Sequence, residues 1–268
     1  MKFDLHTHHD RCGHAQGEIR DYIEAGIRNG LQVIGISDHS PYFGSSTDRP
    51  QPGIAMAKSE FPNYVKEVLR LKEEYQGKIE VLLGMESDFF PEHLESYRKV
   101  YDQYPFDYII GSVHLSGGVS IFNKKRWKGL TDQDQILHKE EYYDLIAQSA
   151  RSGAFQILGH IDAMKGYYPA FTDIQTEAVE KTIQIIGEHD LAIEINTSGK
   201  TKDVGGWYPS DTMLELCLHY GVHVTFGSDS HIPGRVGDDW EEVRAKLKEI
   251  GYKEWVFFRQ KKMVSVAL

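Results

Sequence analysis

Histidines and carboxylates recur in this chain where short apolar runs end, the places at which parallel strands would hand their last side chains to a pocket. Residues 3–5 lead into His6-Thr7-His8, with His14 six positions further on; 33–37 lead into Asp38-His39, and 79–83 into Gly84-Met85-Glu86. Further along, 108–112 meets His114, 156–158 meets His160-Ile161-Asp162, 192–195 carries Glu194 and stops at Asn196, and 222–226 meets Asp229-Ser230-His231. Side chains two apart on a strand point the same way, so His6 with His8, and Asp229 with His231, can grip one ion together. Seven imidazoles and several carboxylates exceed what one tetrahedral site of roughly four ligands can use. Two or three divalent ions are implied, and a nitrogen- and oxygen-rich set without thiolate suits zinc, iron or manganese over copper(I).

Other residues with chemical potential read as structural. His9, His93, His138, His189, His219 and His223 fall outside the strand-end pattern, and a lone imidazole near a turn or helix end more often satisfies carbonyls. Cys12 reads as a small turn residue. Asp38, Asp162 and Asn196 are placed to orient ligands, and the two aspartates are also candidate acids for a departing group. Gly117-Gly118 and Gly205-Gly206 lack the spacing of a phosphate cradle, and no GxSxG elbow is present.

The elements that must position these groups alternate short apolar or β-branched runs with longer stretches of helical period, which argues for repeated βα units around a parallel sheet. The expected strands are the seven runs above plus 255–258; the expected helices are 19–28, 60–74, 92–103, 139–152, 176–189, 211–219 and 239–250. Longer irregular stretches, 40–59, 115–135 and 199–209, each follow a strand. Loops on that face of a βα barrel build its active site, and Tyr42, Phe43 and Arg49 in the first are candidates to cover a substrate. No repeat, low-complexity tract or linker divides the chain, so residues 1–268 are expected to form one domain.

Composition narrows the partners. With 40% hydrophobic and 26% charged residues the chain has an ordinary globular balance. Forty acids against thirty bases give a formal charge of −10, which repels polyphosphate backbones at long range, so nucleic acid is not the expected partner. Cys12 and Cys217 form neither a disulfide framework nor a cysteine-rich zinc cluster. The opening residues lack the apolar stretch of a signal peptide, and no window approaches the length of a membrane span. A cytoplasmic enzyme with a small-molecule substrate is the expectation, its oligomeric state left open.

The runs His6-Thr7-His8, Asp38-His39, Gly84-Met85-Glu86, Gly111-Ser112-Val113-His114, Gly159-His160-Ile161-Asp162, Glu194-Ile195-Asn196-Thr197 and Gly227-Ser228-Asp229-Ser230-His231 together resemble the polymerase-and-histidinol-phosphatase (PHP) metal-dependent phosphoesterases. The resemblance spans most of the chain and is to the histidinol-phosphatase type. It implies a distorted (β/α)7 TIM-like barrel, one strand short of the common eight, with 255–258 outside it. It also implies a trinuclear centre: one ion on His6, His8, Glu86 and Asp229, a second on His14, His39 and His231, a third on Glu86, His114 and His160, with Glu86 as a bridge. Lys165, ending Gly159-His160-Ile161-Asp162-Ala163-Met164-Lys165, and Lys202, near Tyr208-Pro209, stand where similar enzymes hold the substrate phosphate, although Thr201 occupies a position at which arginine is often found. The implied reaction is hydrolysis of a phosphomonoester, L-histidinol phosphate in histidine biosynthesis, by a metal-bridging hydroxide. The alternatives are another phosphomonoester, nucleotide or nucleic-acid ends, and amide hydrolysis. An amidohydrolase would want a bridging lysine where this chain has Glu86; a metal-storage protein would bind ions without turnover.

Overall fold

The computed structural model describes residues 1–268. In chain order its principal elements are β1 (Phe3–Asp4), α1 (Ile19–Arg28), β2 (Val33–Ile36), α2 (Phe61–Glu74), β3 (Glu80–Leu83), β4 (Glu86–Asp88), α3 (Leu94–Tyr101), β5 (Ile110–Ser112), β6 (Leu115–Ser116), β7 (Val119–Ser120), α4 (Asp132–Arg151), β8 (Ile157–Leu158), α5 (Ala178–Glu188), β9 (Ala192–Asn196), α6 (Asp211–His219), β10 (His223–Gly227), α7 (Trp240–Ile250), β11 (Glu254–Arg259) and β12 (Lys262–Ala267).

Two parallel sheets form the centre, one ordered β1-β2-β3 and the other β10-β9-β8-β5-β4. The sheets meet at two seams. At one, Leu5 N donates to Phe226 O at 3.1 Å and His8 N to Ser230 O at 2.9 Å; at the other, His39 and Glu86 form an isolated parallel bridge. No continuous ladder runs round the ring, and this is the distortion in the TIM-like barrel. The expected strand at 79–83 is interrupted and resumes as β4, so Glu86 opens a strand where a loop was expected. The break falls at Gly84, where a Cβ would collide with the Tyr108 ring.

Helices cover the sheets through apolar stripes. In α1 the buried set includes Ile19, Tyr22, Ile23 and Gly26, the i, i+3, i+4, i+7 face of an amphipathic helix. Helix α4 begins earlier than its apolar pattern suggests, because Thr131 and Asp134 close a capping box. The expected loop 115–135 is therefore partly ordered, with the β6–β7 hairpin and a 3-10 turn at Lys124–Trp127. A single hydrophobic cluster of 65 residues runs from Phe3 to Phe258 and takes in both sheets. No helix is long and apolar enough to cross a membrane.

Strands β11 and β12 pair antiparallel with each other and with no barrel strand, so 255–258 lies outside the barrel as expected. The hairpin crosses the N-terminal ends of the strands. Trp255 packs 4.9 Å from the Phe3 ring, and Arg259 reaches both carboxylate oxygens of Glu80, at the start of β3, at 2.6 Å.

Candidate metal centre

At the opposite end, strand alternation decides which side chains face inward. Thr7 turns away and donates to Gly35 O at 2.8 Å, leaving His6 and His8 on one face with ring centroids 4.9 Å apart. Glu86 opens β4, His39 follows β2, His114 follows β5, His160 follows β8, and Asp229 and His231 follow β10. Two of these residues hold backbone that favours glycine, His160 at φ 26° and Asp229 at φ 50°. Such strain persists where surrounding structure holds it and clusters at functional sites. Gly227 admits its neighbours by lacking a Cβ, which would overlap the Glu194 carboxylate.

Glu86 stands at the middle. Its Oε1 accepts from Ser112 Oγ at 2.7 Å and lies 3.0 Å from His160 Nε2 and 3.4 Å from His114 Nε2. Its Oε2 lies 2.7 Å from His39 Nδ1, 3.5 Å from His6 Nε2 and 3.7 Å from His8 Nε2. One carboxylate thus presents an oxygen to each of two imidazole groups. Asp229 Oδ1 approaches His8 Nε2 at 3.0 Å and His6 Nε2 at 3.8 Å. On the outer side His14 Nε2 and His231 Nε2 are 2.9 Å apart, and His114 Nε2 and His160 Nε2 meet at 3.2 Å.

These atoms fit divalent ions. His6 Nε2, His8 Nε2 and Glu86 Oε2 are buried without a well-aligned hydrogen bond, despite the nearness of Asp229 to His8 and of His39 to Glu86, an expensive condition unless something else satisfies them. Donor atoms of His6, His8 and Glu86, of His8, His39 and His231, and of His39, Glu86 and His114 converge within 4.8 Å in each group. Imidazole and carboxylate are the donors such ions take.

Further carboxylates fix the rings from behind. Glu194 Oε1 lies 2.6 Å from His6 Nδ1, Asp38 Oδ1 3.1 Å from His8 Nδ1, and Asp88 Oδ1 2.8 Å from His114 Nδ1. Ser198 Oγ and Asn196 Nδ2 donate to Asp229 Oδ2 at 2.9 and 3.2 Å. Burial pulls the inner imidazoles down, but the carboxylates overcome it, lifting His8 and His114 to about 9 and His6 well above its usual value. In turn Glu86 and Asp229 are held well below the carboxylate range, against their burial, by the surrounding histidines. At the outer edge burial and neighbouring imidazoles push His14 down to about 4 and His231 to about 3, so both are neutral at pH 7 with a lone pair to offer.

The other expected site residues divide. Asp38 lies wholly buried beneath His8, also accepts from His39 N at 2.9 Å, and is held far below its usual value by His9 and His8 despite burial. It is a fixed anion that orients a ring, and it carries no proton to donate at neutral pH. Asp162 is buried against Lys165, with Nζ to Oδ2 at 2.7 Å, and accepts from Ser210 N at 2.9 Å. Lys165 Nζ sits 5.6 Å over the Tyr208 ring, which is 6.4 Å from His160. Lys202 Nζ sits 5.7 Å over Tyr167, which Phe122 links to His160 through ring separations of 6.2 and 6.5 Å. Lys165 is thus one ring removed from His160, and Lys202 is two rings removed. Phe43 packs into the core against Phe61 and Tyr97 at 5.3 and 5.2 Å, so it covers no substrate, and Arg49 is bound to backbone carbonyls. Asp88, behind His114, is a site residue that the strand-end pattern does not single out, although it stands two residues past Glu86 and strand alternation puts it on the same face.

Residues 4–198 match the PHP domain family. A probable histidinol-phosphatase of Deinococcus radiodurans is 31% identical over 260 residues, covering 97% of each chain. The histidinol-phosphatase of Bacillus subtilis is 29% identical, covering 90% of this chain and 97% of its own. Among solved structures, the histidinol phosphate phosphatase of Lactococcus lactis, in complex with zinc, L-histidinol and phosphate, superposes with a TM-score of 0.82 at 21% identity over 98% of both chains. With the family matched across most of its length and a histidine–carboxylate cluster at the barrel's C-terminal end, the chain belongs to the PHP domain family.

Proposed function

We propose that the protein hydrolyses the phosphomonoester L-histidinol phosphate to L-histidinol and phosphate. The observation that carries this reading is the Glu86 carboxylate, with one oxygen toward His114 and His160 and the other toward His6, His8 and His39. The full-length relatives that bear the histidinol-phosphatase name support the substrate. The residue sets that would hold two or three ions of zinc, iron or manganese are His6, His8, Glu86 and Asp229; His14, His39 and His231; and Glu86, His114 and His160. Bound divalent ions supply Lewis acidity, lowering the pKa of water and neutralising phosphoryl oxygens.

The chain's own residues do the rest. Glu194, Asp38 and Asp88 fix the ring planes of His6, His8 and His114, so the donor nitrogens are preorganised. Lys165 and Lys202 give the phosphate a cationic flank on the His160 side, with Asp162 holding the Lys165 ammonium in place. The unit is the whole chain, residues 1–268 as one domain, working in the cytoplasm. The test is phosphate release from L-histidinol phosphate by protein reconstituted with each metal in turn. Turnover that collapses in Lys165→Ala is the expected result, and fully loaded protein inert toward this ester would overturn the assignment.

A further inference from the structure

The ligand groups are not built alike. His6, His8 and His160 are almost wholly buried at strand ends, and the rings of His6 and His8 are each backed by a carboxylate. His14 is exposed, sits on a turn between strand and helix, and its ring meets His231 and no carboxylate. His231 Nδ1 faces the Asp229 backbone carbonyl at 3.1 Å, with the carboxylate of the same residue farther off at 3.5 Å. The His14 turn is closed by Asp10 N donating to Gly17 O at 3.0 Å, and Gln16 N ties it to His231 O at 2.8 Å.

One side chain holds this turn from outside. Arg49 Nη2 donates to Cys12 O and Gly53 O, both at 2.7 Å, and its Nε donates to Ala55 O at 2.9 Å. The guanidinium therefore fastens the 40–59 loop to the Cys12 carbonyl, two residues before His14, and the Gly13 that follows has a φ of 88°, a conformation other residues resist. Arg49 has no carboxylate within ion-pair distance, so its donors are committed to this backbone junction, and a planar fork of fixed donors suits bridging several carbonyls at once.

We propose, resting on the ligand reading above, that Arg49 is a positioning residue for His14, and that the ion held by His14, His39 and His231 is the one the protein releases first. Outer groups that orient a ligand typically change metal affinity by about 10-fold to 100-fold. Arg49 acts at one remove through backbone, so about 10-fold is the effect to read.

The experiment counts ions per chain by elemental analysis after dialysis of the isolated metal-loaded protein against graded chelator, for wild type, Arg49→Ala, Arg49→Lys and His14→Ala. Wild type is expected to lose one ion per chain ahead of the others. Arg49→Ala should lose that same ion at about 10-fold lower chelator while keeping the rest, and Arg49→Lys should fall between. His14→Ala should lack the ion from the start, and adding Arg49→Ala to it should change nothing further. An Arg49→Ala profile matching wild type, or one in which every ion leaves together, overturns the proposal, as does a His14→Ala protein with the full complement. Graded release from protein inert toward L-histidinol phosphate would remove the substrate assignment and leave this one standing; wild-type protein that holds no ion would remove both.

Discussion

The two ends of the barrel solve opposite problems with the same strands. At the N-terminal end the β11–β12 hairpin seals the sheet: Trp255 packs on Phe3 and 4.8 Å from Trp240, Lys261 N donates to Asp107 O at 2.7 Å, and Arg259 forks onto Glu80. The buried orphan polar atoms there include the indole nitrogens of Trp240 and Trp255, which are donors only and can hold no cation. At the C-terminal end the orphans include His6 Nε2, His8 Nε2 and Glu86 Oε2, atoms of the kind a cation takes as ligands. The contrast teaches where each kind of cost is tolerated: one end is packed for stability, while the other keeps unsatisfied acceptors that only a ligand relieves.

The largest effect should come from breaking the functional end at its middle. Glu86→Ala removes an oxygen from each of two ligand groups and is expected to cost more than one ion per chain by elemental analysis. Loss of several kcal/mol of charge stabilisation corresponds to a fall in kcat of about a thousandfold or more, read in the phosphate-release assay. Full metal content in this variant would show that Glu86 bridges nothing. At the sealed end Trp255→Ala should do the reverse, lowering unfolding free energy by about 3–5 kcal/mol in denaturant titrations while ions per folded chain stay at the wild-type number. A loss of metal from that variant would mean that the two ends are coupled, and the division drawn between them would fail.

The same contrast governs what could be read from sequence. The functional end was legible because its residues lie at the C-terminal ends of apolar runs, and barrel geometry forces such positions together. His6, His39, Glu86, His114, His160 and Asp229 needed no long-range information beyond that. Asp88 was missed because a carboxylate behind a ring is recognised by the ring it touches, and sequence spacing names only the face. The role of Asp38 could not be decided for a related reason: whether a carboxylate donates a proton or holds a ring depends on burial, and Asp38 is enclosed among His8, His9 and His39. The sealed end was half legible. The apolar run at 255–258 announced a strand, but its partner β12 alternates weakly, with only intermediate and exposed positions, and its pairing rests on the turn that joins them. Helix α4 began early because Thr131 caps it, a polar signal that apolar periodicity does not register.

A smaller effect tests whether orientation matters as well as ligation. Asp88→Asn keeps the size of the group behind His114 Nδ1 and removes its charge, and metal affinity is expected to fall by about 10-fold to 100-fold, measured as chelator competition. The backbone should be unaffected, since Asp88 ends a strand already paired through Glu86 and Ser87. Affinity unchanged within error would mean that the ring is held by packing alone.

A last test is the pH dependence of the metal-free protein, to which the functional end contributes most of the shifted imidazoles. In metal-free protein His8 and His114 are raised from 6.5 to about 9. The folded state therefore binds their protons more tightly than the unfolded chain does. Their contribution is fully present below pH 6.5 and is lost as pH rises through 9. His14 and His231 are lowered from 6.5 to about 4 and 3, so the unfolded chain takes up protons that the folded one refuses, and stability falls as pH drops below 6.5. Asp4, raised by burial to about 6, favours the folded state as it gains its proton and offsets part of that acid-side loss. Metal-free protein should thus lose stability from pH 6.5 upward in denaturant midpoints, the loss offset in part above pH 8 by Lys139, which burial lowers to about 8. Bound ions replace those protons, so metal-loaded protein should be nearly flat across the same range, and Trp255→Ala should lower the metal-free curve without changing its shape. A metal-free protein as flat as the loaded one would mean that the inner imidazoles are not paired with carboxylates when the ions are gone.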